Sequence, residues 1–142
     1  HVGRWFGHYE EPRKVLKSIP GLQLVEMEHI KEEGLCCGLV SAFDSMDSVA
    51  HSGMKRVEEA IKTGAEYIVT NCAGCGSQFN YTCQQMNTHL KQIDFTEVVA
   101  RSLGLPAKDP SEKVSVFMAQ AVELLKDSVL KPIVVPGQAI SN

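Results

Sequence analysis

Apolar and polar positions alternate along this chain with two periods, and each stretch predicts an element. Glu11-Pro12 opens a helical stretch, with Pro12 suited to a first turn, Val15, Leu16 and Ile19 as its apolar side, and Pro20-Gly21 as its end. Leu22-Gln23-Leu24-Val25-Glu26-Met27 alternates with period two and predicts a strand. From Gly53 to Thr63, Met54, Val57 and Ile61 recur at helical spacing, and Gly64 stops the helix. Tyr67-Ile68-Val69-Thr70 predicts a short buried strand. Ser77 to Leu90 predicts a helix with the stripe Phe79, Cys83, Met86 and Leu90, and Ile93 ends a further short strand. Asp94 with Glu97 forms a capping box for a helix to Leu103, closed by Gly104 and Pro106. Asp109-Pro110 starts a last helix with the stripe Val114, Phe117, Met118, Ala121 and Leu125. From Lys131 to Asn142 there is no clear period, which predicts an extended arm.

Strands alternating with helices predict an α/β fold, a mostly parallel sheet flanked by helices. In such folds sites form at the carboxyl ends of strands, which is where the loops after the predicted strands lie. The reading is one domain over residues 1–130 and a tail over 131–142. The 142 residues suffice for a core, and 44% hydrophobic with 22% charged residues is a globular balance. The net charge of −3 comes without a basic stripe, so no nucleic-acid partner is expected. No apolar run is long enough for a transmembrane segment. The chain starts at His1 rather than Met, so a longer natural protein is expected.

Chemistry enters with the cysteines. Cys36-Cys37-Gly38 and Cys72-Ala73-Gly74-Cys75 place four thiols in two tight clusters, each beside glycine. Both clusters are placed on loops after strands, the first several residues beyond its strand. The total of five cysteines is odd, and neighbouring cysteines bridge each other only with strain. A reducing, cytoplasmic setting follows. Thiolates favour zinc, copper(I) and iron–sulfur centres. Four readings of the residues stand side by side: a thioredoxin-like dithiol at Cys72/Cys75, a four-thiolate structural zinc site, an iron–sulfur centre, and scattered core thiols. The dithiol leaves Cys36-Cys37 unexplained. Gly38, Gly74 and Gly76 let backbone N–H groups approach sulfur, and a helix starting near Ser77 adds a positive dipole end beside Cys75.

Other polar and aromatic residues carry less. Cys83 lies eight residues after Cys75 on a predicted helix, roughly 12 Å along the axis, and reads as a core thiol. His8, His29, His51 and His89 have no ligand spacing, and His1 is a terminus. Trp5, Phe6 and Tyr9 read as core packing or as an aromatic wall near the site. Arg4 reads equally as a surface residue or as a partner for an anion or a charged cluster.

The pair Cys36-Cys37-Gly38 and Cys72-Ala73-Gly74-Cys75 resembles the cysteine-rich CCG domain of heterodisulfide reductase catalytic subunits and of glycolate and lactate oxidation iron–sulfur subunits. The flanks agree: His1-Val2-Gly3-Arg4, Glu11 to Leu16, Ile19 to Leu22, Val25-Glu26-Met27, Arg56-Val57-Glu58-Glu59-Ala60 and Thr63-Gly64-Ala65. The resemblance implies an iron–sulfur oxidoreductase subunit, not active alone, with Cys36, Cys37, Cys72 and Cys75 as cofactor and metal ligands. The implied cofactor is a [4Fe-4S] cluster, with zinc as the alternative in a structural or interaction domain. The implied partners are other iron–sulfur or flavin redox subunits, through which a cytoplasmic chain would associate with a membrane complex. The implied reaction is transfer of electrons to a disulfide or a small organic substrate. In that family a full motif begins with one more cysteine just before the position of His1, and the five-cysteine motif holds a noncubane [4Fe-4S] cluster. This chain begins one residue after that position and carries one such domain where relatives usually carry two. It is therefore expected to be the C-terminal CCG domain of a longer protein. Leu39-Val40-Ser41-Ala42-Phe43 is also bulkier than the glycine- or alanine-rich run usual after the CCG.

Overall fold

The computed structural model describes residues 2–43 and 45–107, together with 116, 117, 120, 123 and 124. Two short helices come first, α1 (Val2–Phe6) and α2 (Glu10–Lys17). Pro12 sits in the first turn of α2, where its missing N–H has no intrahelical partner to lose. Residues 22–27 are extended but belong to no sheet, unlike the predicted strand. The alternation is real, since Leu22 and Leu24 are half-buried while Gln23 and Val25 are exposed. Among the described residues, however, no strand pairs with this segment. Arg13 of α2 grips it instead, donating to both Glu26 oxygens at 2.5 and 2.9 Å.

After two 3₁₀ turns (Lys31–Glu33 and Leu39–Phe43) comes α3 (Met46–Lys62). It begins well before Gly53, because the Ser45 hydroxyl accepts from the Ser48 N–H and caps it. Gly53 is thus inside the helix. A Cβ there would lie 2.8 Å from Thr82 Oγ1 and 3.1 Å from Gln78 Nε2, so its role is close approach to the next helix.

Strand β1 (Tyr67–Thr70) leads into α4 (Ala73–Gln85), which returns the chain to β2 (Lys91–Asp94). β1 and β2 are parallel, with Tyr67 opposite Lys91 and Thr70 opposite Asp94. Helices and a small parallel sheet together make the α/β class expected. Helix α4 ends at Gln85, earlier than the Leu90 predicted. Asn87 turns left-handed (φ 48°), and the N–H groups of Asn87 and Thr88 close on the carbonyls of Gln84 and Cys83. Asp94 then caps α5 (Phe95–Ser102), accepting from the Thr96 N–H at 2.9 Å, and Gly104 closes it. Glu97, the other half of the expected capping box, pairs with Arg101.

The core lies between α3, α4 and the sheet. Val57, Ala60, Ile68, Phe79, Cys83 and Leu90 are buried there, and Cys37 joins them. Trp5 and Phe6 do not: they are 76% and 73% exposed, because α1 is five residues long and buries none of them. No helix among the described residues is long and apolar enough to cross a membrane. Residues 116, 117, 120, 123 and 124 are helical, with Val116, Phe117 and Leu124 exposed. The rest of the predicted last helix and the arm over 131–142 lie outside the described residues.

Candidate metal centre

Cys72 and Cys75 arrive through β1. The strand ends at Thr70, and Cys72 is the residue that caps α4, with extended backbone (φ −123°, ψ 121°). Helix α4 therefore starts at Ala73 rather than near Ser77. Cys75 lies within its first turn, and the Gly76 N–H donates to the Cys72 carbonyl at 2.9 Å. The helix is tied down to the sheet at this end. A Cβ on Gly76 would meet Gln92 Nε2 at 2.9 Å and Thr70 Oγ1 at 3.2 Å, and those two side chains are themselves bonded at 3.0 Å.

Cys36 and Cys37 arrive on an irregular segment, not directly after a strand. Gly38 turns left-handed (φ 88°) at their end, and a Cβ there would lie 2.8 Å from the Val49 carbonyl oxygen. This turn brings N–H groups onto sulfur. Gly38 donates to Cys36 Sγ at 3.4 Å, and the Leu39 N–H near the Cys37 sulfur favours its thiolate. The Leu39 side chain covers Gly74 of the second motif, its Cδ2 lying 3.0 Å from where a Cβ would stand.

The Cys37 and Cys75 thiols are near enough to shift each other's ionisation, with Cys36 beside Cys37 and Cys72 beside Cys75, but no three of the four sulfurs lie within 4.8 Å of one another. Cys37 is buried and Cys75 half-buried, whereas Cys36 and Cys72 are exposed. The two thiols shift in opposite directions. The bond from Cys75, together with the Leu39 and Cys36 contacts, outweighs burial and lowers Cys37 to about 6. The Cys37 sulfur, burial and the Cys72 sulfur push Cys75 far up. Two adjacent thiolates repel, so only one charge is tolerated without a cation between them. Residues 34–43 and 67–90, which carry all five cysteines, contain no Asp, Glu, Lys or Arg. The perturbing groups are thiols, backbone N–H groups and burial. Charge compensation here is left to backbone dipoles, including the N-terminus of α4.

The remaining residues fall elsewhere. Cys83 is buried further along α4, and burial alone raises its thiol to about 11. It borders a groove of about 570 Å³ with Tyr67, Asn87, Leu90 and Lys91, toward the strand ends opposite Cys72. His51 and His89 are exposed. His8 stacks on Phe6 and pairs with Glu11 at 3.3 Å. Tyr9 packs its ring on Gly3. Arg4 is engaged with the chain itself, donating to the Gly34 carbonyl just ahead of Cys36.

A cluster that the spacing did not reveal is Glu28, His29 and Glu59, whose side-chain donor atoms lie within 4.8 Å of one another. Glu59 is 6% exposed, and its two oxygens are already taken by His29 Nδ1 and Arg56 Nη1. A guanidinium therefore supplies the positive charge. Arg56 and Glu59, three apart on one helix, are a legible pair; His29, far away in sequence, is not.

The family model of the cysteine-rich domain, CCG, matches residues 1–80. The chain is 33% identical over 107 residues to a subunit of the dihydromethanophenazine:CoB–CoM heterodisulfide reductase of Methanosarcina barkeri, covering 74% of this chain and 26% of that protein. It is 31% identical over 107 residues to the probable iron-sulfur-binding oxidoreductase FadF of Bacillus subtilis, covering 72% of this chain and 15% of that one. It is 40% identical over 77 residues to a subunit of the fumarate reductase (CoM/CoB) of Methanothermobacter marburgensis, covering 53% and 15%. The chain thus spans about a quarter or less of the length of these relatives. No solved structure matches. With its four thiols, their glycines and this match over more than half its length, the chain belongs to the CCG cysteine-rich domain family.

Proposed function

We propose that this chain is the cluster-bearing part of an oxidoreductase subunit, and that Cys36, Cys37, Cys72 and Cys75 together hold a [4Fe-4S] iron–sulfur cluster. The observation that carries the reading is the proximity of Cys37 and Cys75, one thiol from each pair. All four donors are sulfur, the donor set of soft metal centres. The opposed shifts of Cys37 and Cys75 and the absence of Asp, Glu, Lys and Arg from both segments fit a site completed by a cationic group. When bound, an iron–sulfur cluster supplies electron transfer at a potential set by its charge, N–H···S bonds and exposure.

The chain's own residues divide the work. Cys37 and Cys75 form the inner, desolvated side, and Cys36 and Cys72 the outer side. The Gly38 and Leu39 N–H groups offset negative charge on the first pair, and the N-terminus of α4 does so on the second. Relatives bear the names of heterodisulfide reductase and fumarate reductase components. By analogy the electrons go to a disulfide or a small organic acid, and they arrive from partner redox subunits. The test is anaerobic purification of the full chain, with iron, sulfide and zinc analysis and EPR. About four iron and four sulfide per chain, lost when any of the four cysteines becomes serine, is the expected result. Stoichiometric zinc without iron overturns it.

A further inference from the structure

The segment that delivers Cys36 and Cys37 has almost no regular structure of its own. Residues 22–27 join no sheet, and only the 3₁₀ turn Lys31–Glu33 follows before Gly34. Something outside it must fix its path. The stretch Arg56-Val57-Glu58-Glu59-Ala60 supplies that on α3. Val57 and Ala60 face the core, while Arg56 and Glu59 face the segment.

The bonds close a ring. Glu59 Oε1 holds the His29 imidazole at Nδ1, and Glu59 Oε2 accepts from Arg56 Nη1 at 2.5 Å. The same Arg56 Nη1 donates to the His29 carbonyl at 2.7 Å. His29 is therefore held by both ring and backbone. Arg56 Nη2 lies 3.9 Å from where a Cβ on Gly34 would stand, so the guanidinium spans the segment from His29 to Gly34. A buried ion pair is weak evidence of stability, since apolar residues of similar volume often serve as well. Its bonds to backbone are what an apolar pair would not replace.

We propose that Arg56 and Glu59, acting through His29 and Gly34, are positioning residues for the Cys36-Cys37 half of the site. The inference rests on the four-thiol reading but is tested separately from it. The full chain is compared with Arg56→Met/Glu59→Leu and with Glu59→Gln. In the reduced, metal-free protein, per-cysteine alkylation is read by mass spectrometry. The buried Cys37 labels about tenfold faster in the double variant, while the exposed Cys36 changes little and Cys72, Cys75 and Cys83 keep their rates. After anaerobic reconstitution, iron is held about tenfold less tightly in the double variant, with a changed EPR line shape. Glu59→Gln keeps a bond to each partner, its oxygen accepting from Arg56 and its amide donating to His29 Nδ1, and restores most of the wild-type behaviour. Unchanged labelling of Cys37 in the folded double variant overturns the proposal, and so does an equal rise at Cys37, Cys75 and Cys83. If the double variant does not fold, Arg56→Gln, which removes the guanidinium and leaves the Glu59–His29 bond in place, carries the same readouts with the same outcomes. A wild-type chain that takes up no iron overturns the cluster reading and leaves the alkylation comparison in force.

Discussion

Single residues fix the thiols through constraints with a sign. Burial alone would raise the Glu59 carboxyl, but the bonds from His29 and Arg56 win and hold it below its ordinary 4.5. A carboxylate lowered in the folded state contributes stability that is complete above the unfolded value and is lost as pH falls through the folded one. Unfolding midpoints are therefore expected to drop as pH falls below about 4.5, and Glu59→Gln flattens that part of the profile. A profile equally steep in the variant would place the acid sensitivity elsewhere. Gly38 is constrained differently. Its φ of 88° and the Val49 oxygen at 2.8 Å from a Cβ leave an alanine no place, and the obstacle is backbone. Gly38→Ala is expected to cost about 1–3 kcal/mol, read by urea denaturation, and to lower metal content more than a core truncation of equal cost.

Elements are legible in the sequence according to what ends them. Helix α5 is legible at both ends because Asp94 and Gly104 act within a few residues of where they stand. Strand β1 is legible because Tyr67-Ile68-Val69-Thr70 is short, apolar and followed by a turn. The start of α3 is not, because Gly53 reads locally as a breaker, yet tertiary packing uses it as a gap for α4. Gly53→Ala pushes a methyl against Thr82 and Gln78, both buried, and is expected to cost about 1–3 kcal/mol in thermal or urea unfolding. Gly64→Ala meets nothing within 4 Å and carries only the left-handed backbone penalty, about 1 kcal/mol. The end of α4 is hidden because Asn87 does what a glycine would have announced. The thiols themselves are legible from spacing and glycine, but the proximity of Cys37 to Cys75 is not. In the ring through His29, only the Arg56–Glu59 pair has a local sign.

At the scale of the whole molecule, two of the site's four thiols, Cys37 and Cys75, serve the packing and two do not. Leu90, Val57, Ile68 and Phe79 make a core that also takes in Cys37, while Cys36 and Cys72 stay outside. Removing a bound metal is therefore expected to leave the far-UV circular dichroism nearly unchanged, in contrast to small zinc domains that unfold when chelated. Loss of most helical signal on chelation would show that the metal, not this core, holds the fold. The three tethers on the approach to Cys36, from Arg4, Arg56 and Glu59, bear on how the site fills. Each residue ordered beforehand no longer gives up about 1–2 kcal/mol of conformational entropy at the moment of capture. If the site takes a cluster, filling it is then expected to be an encounter with a waiting shape, at a rate set by delivery rather than by chain rearrangement.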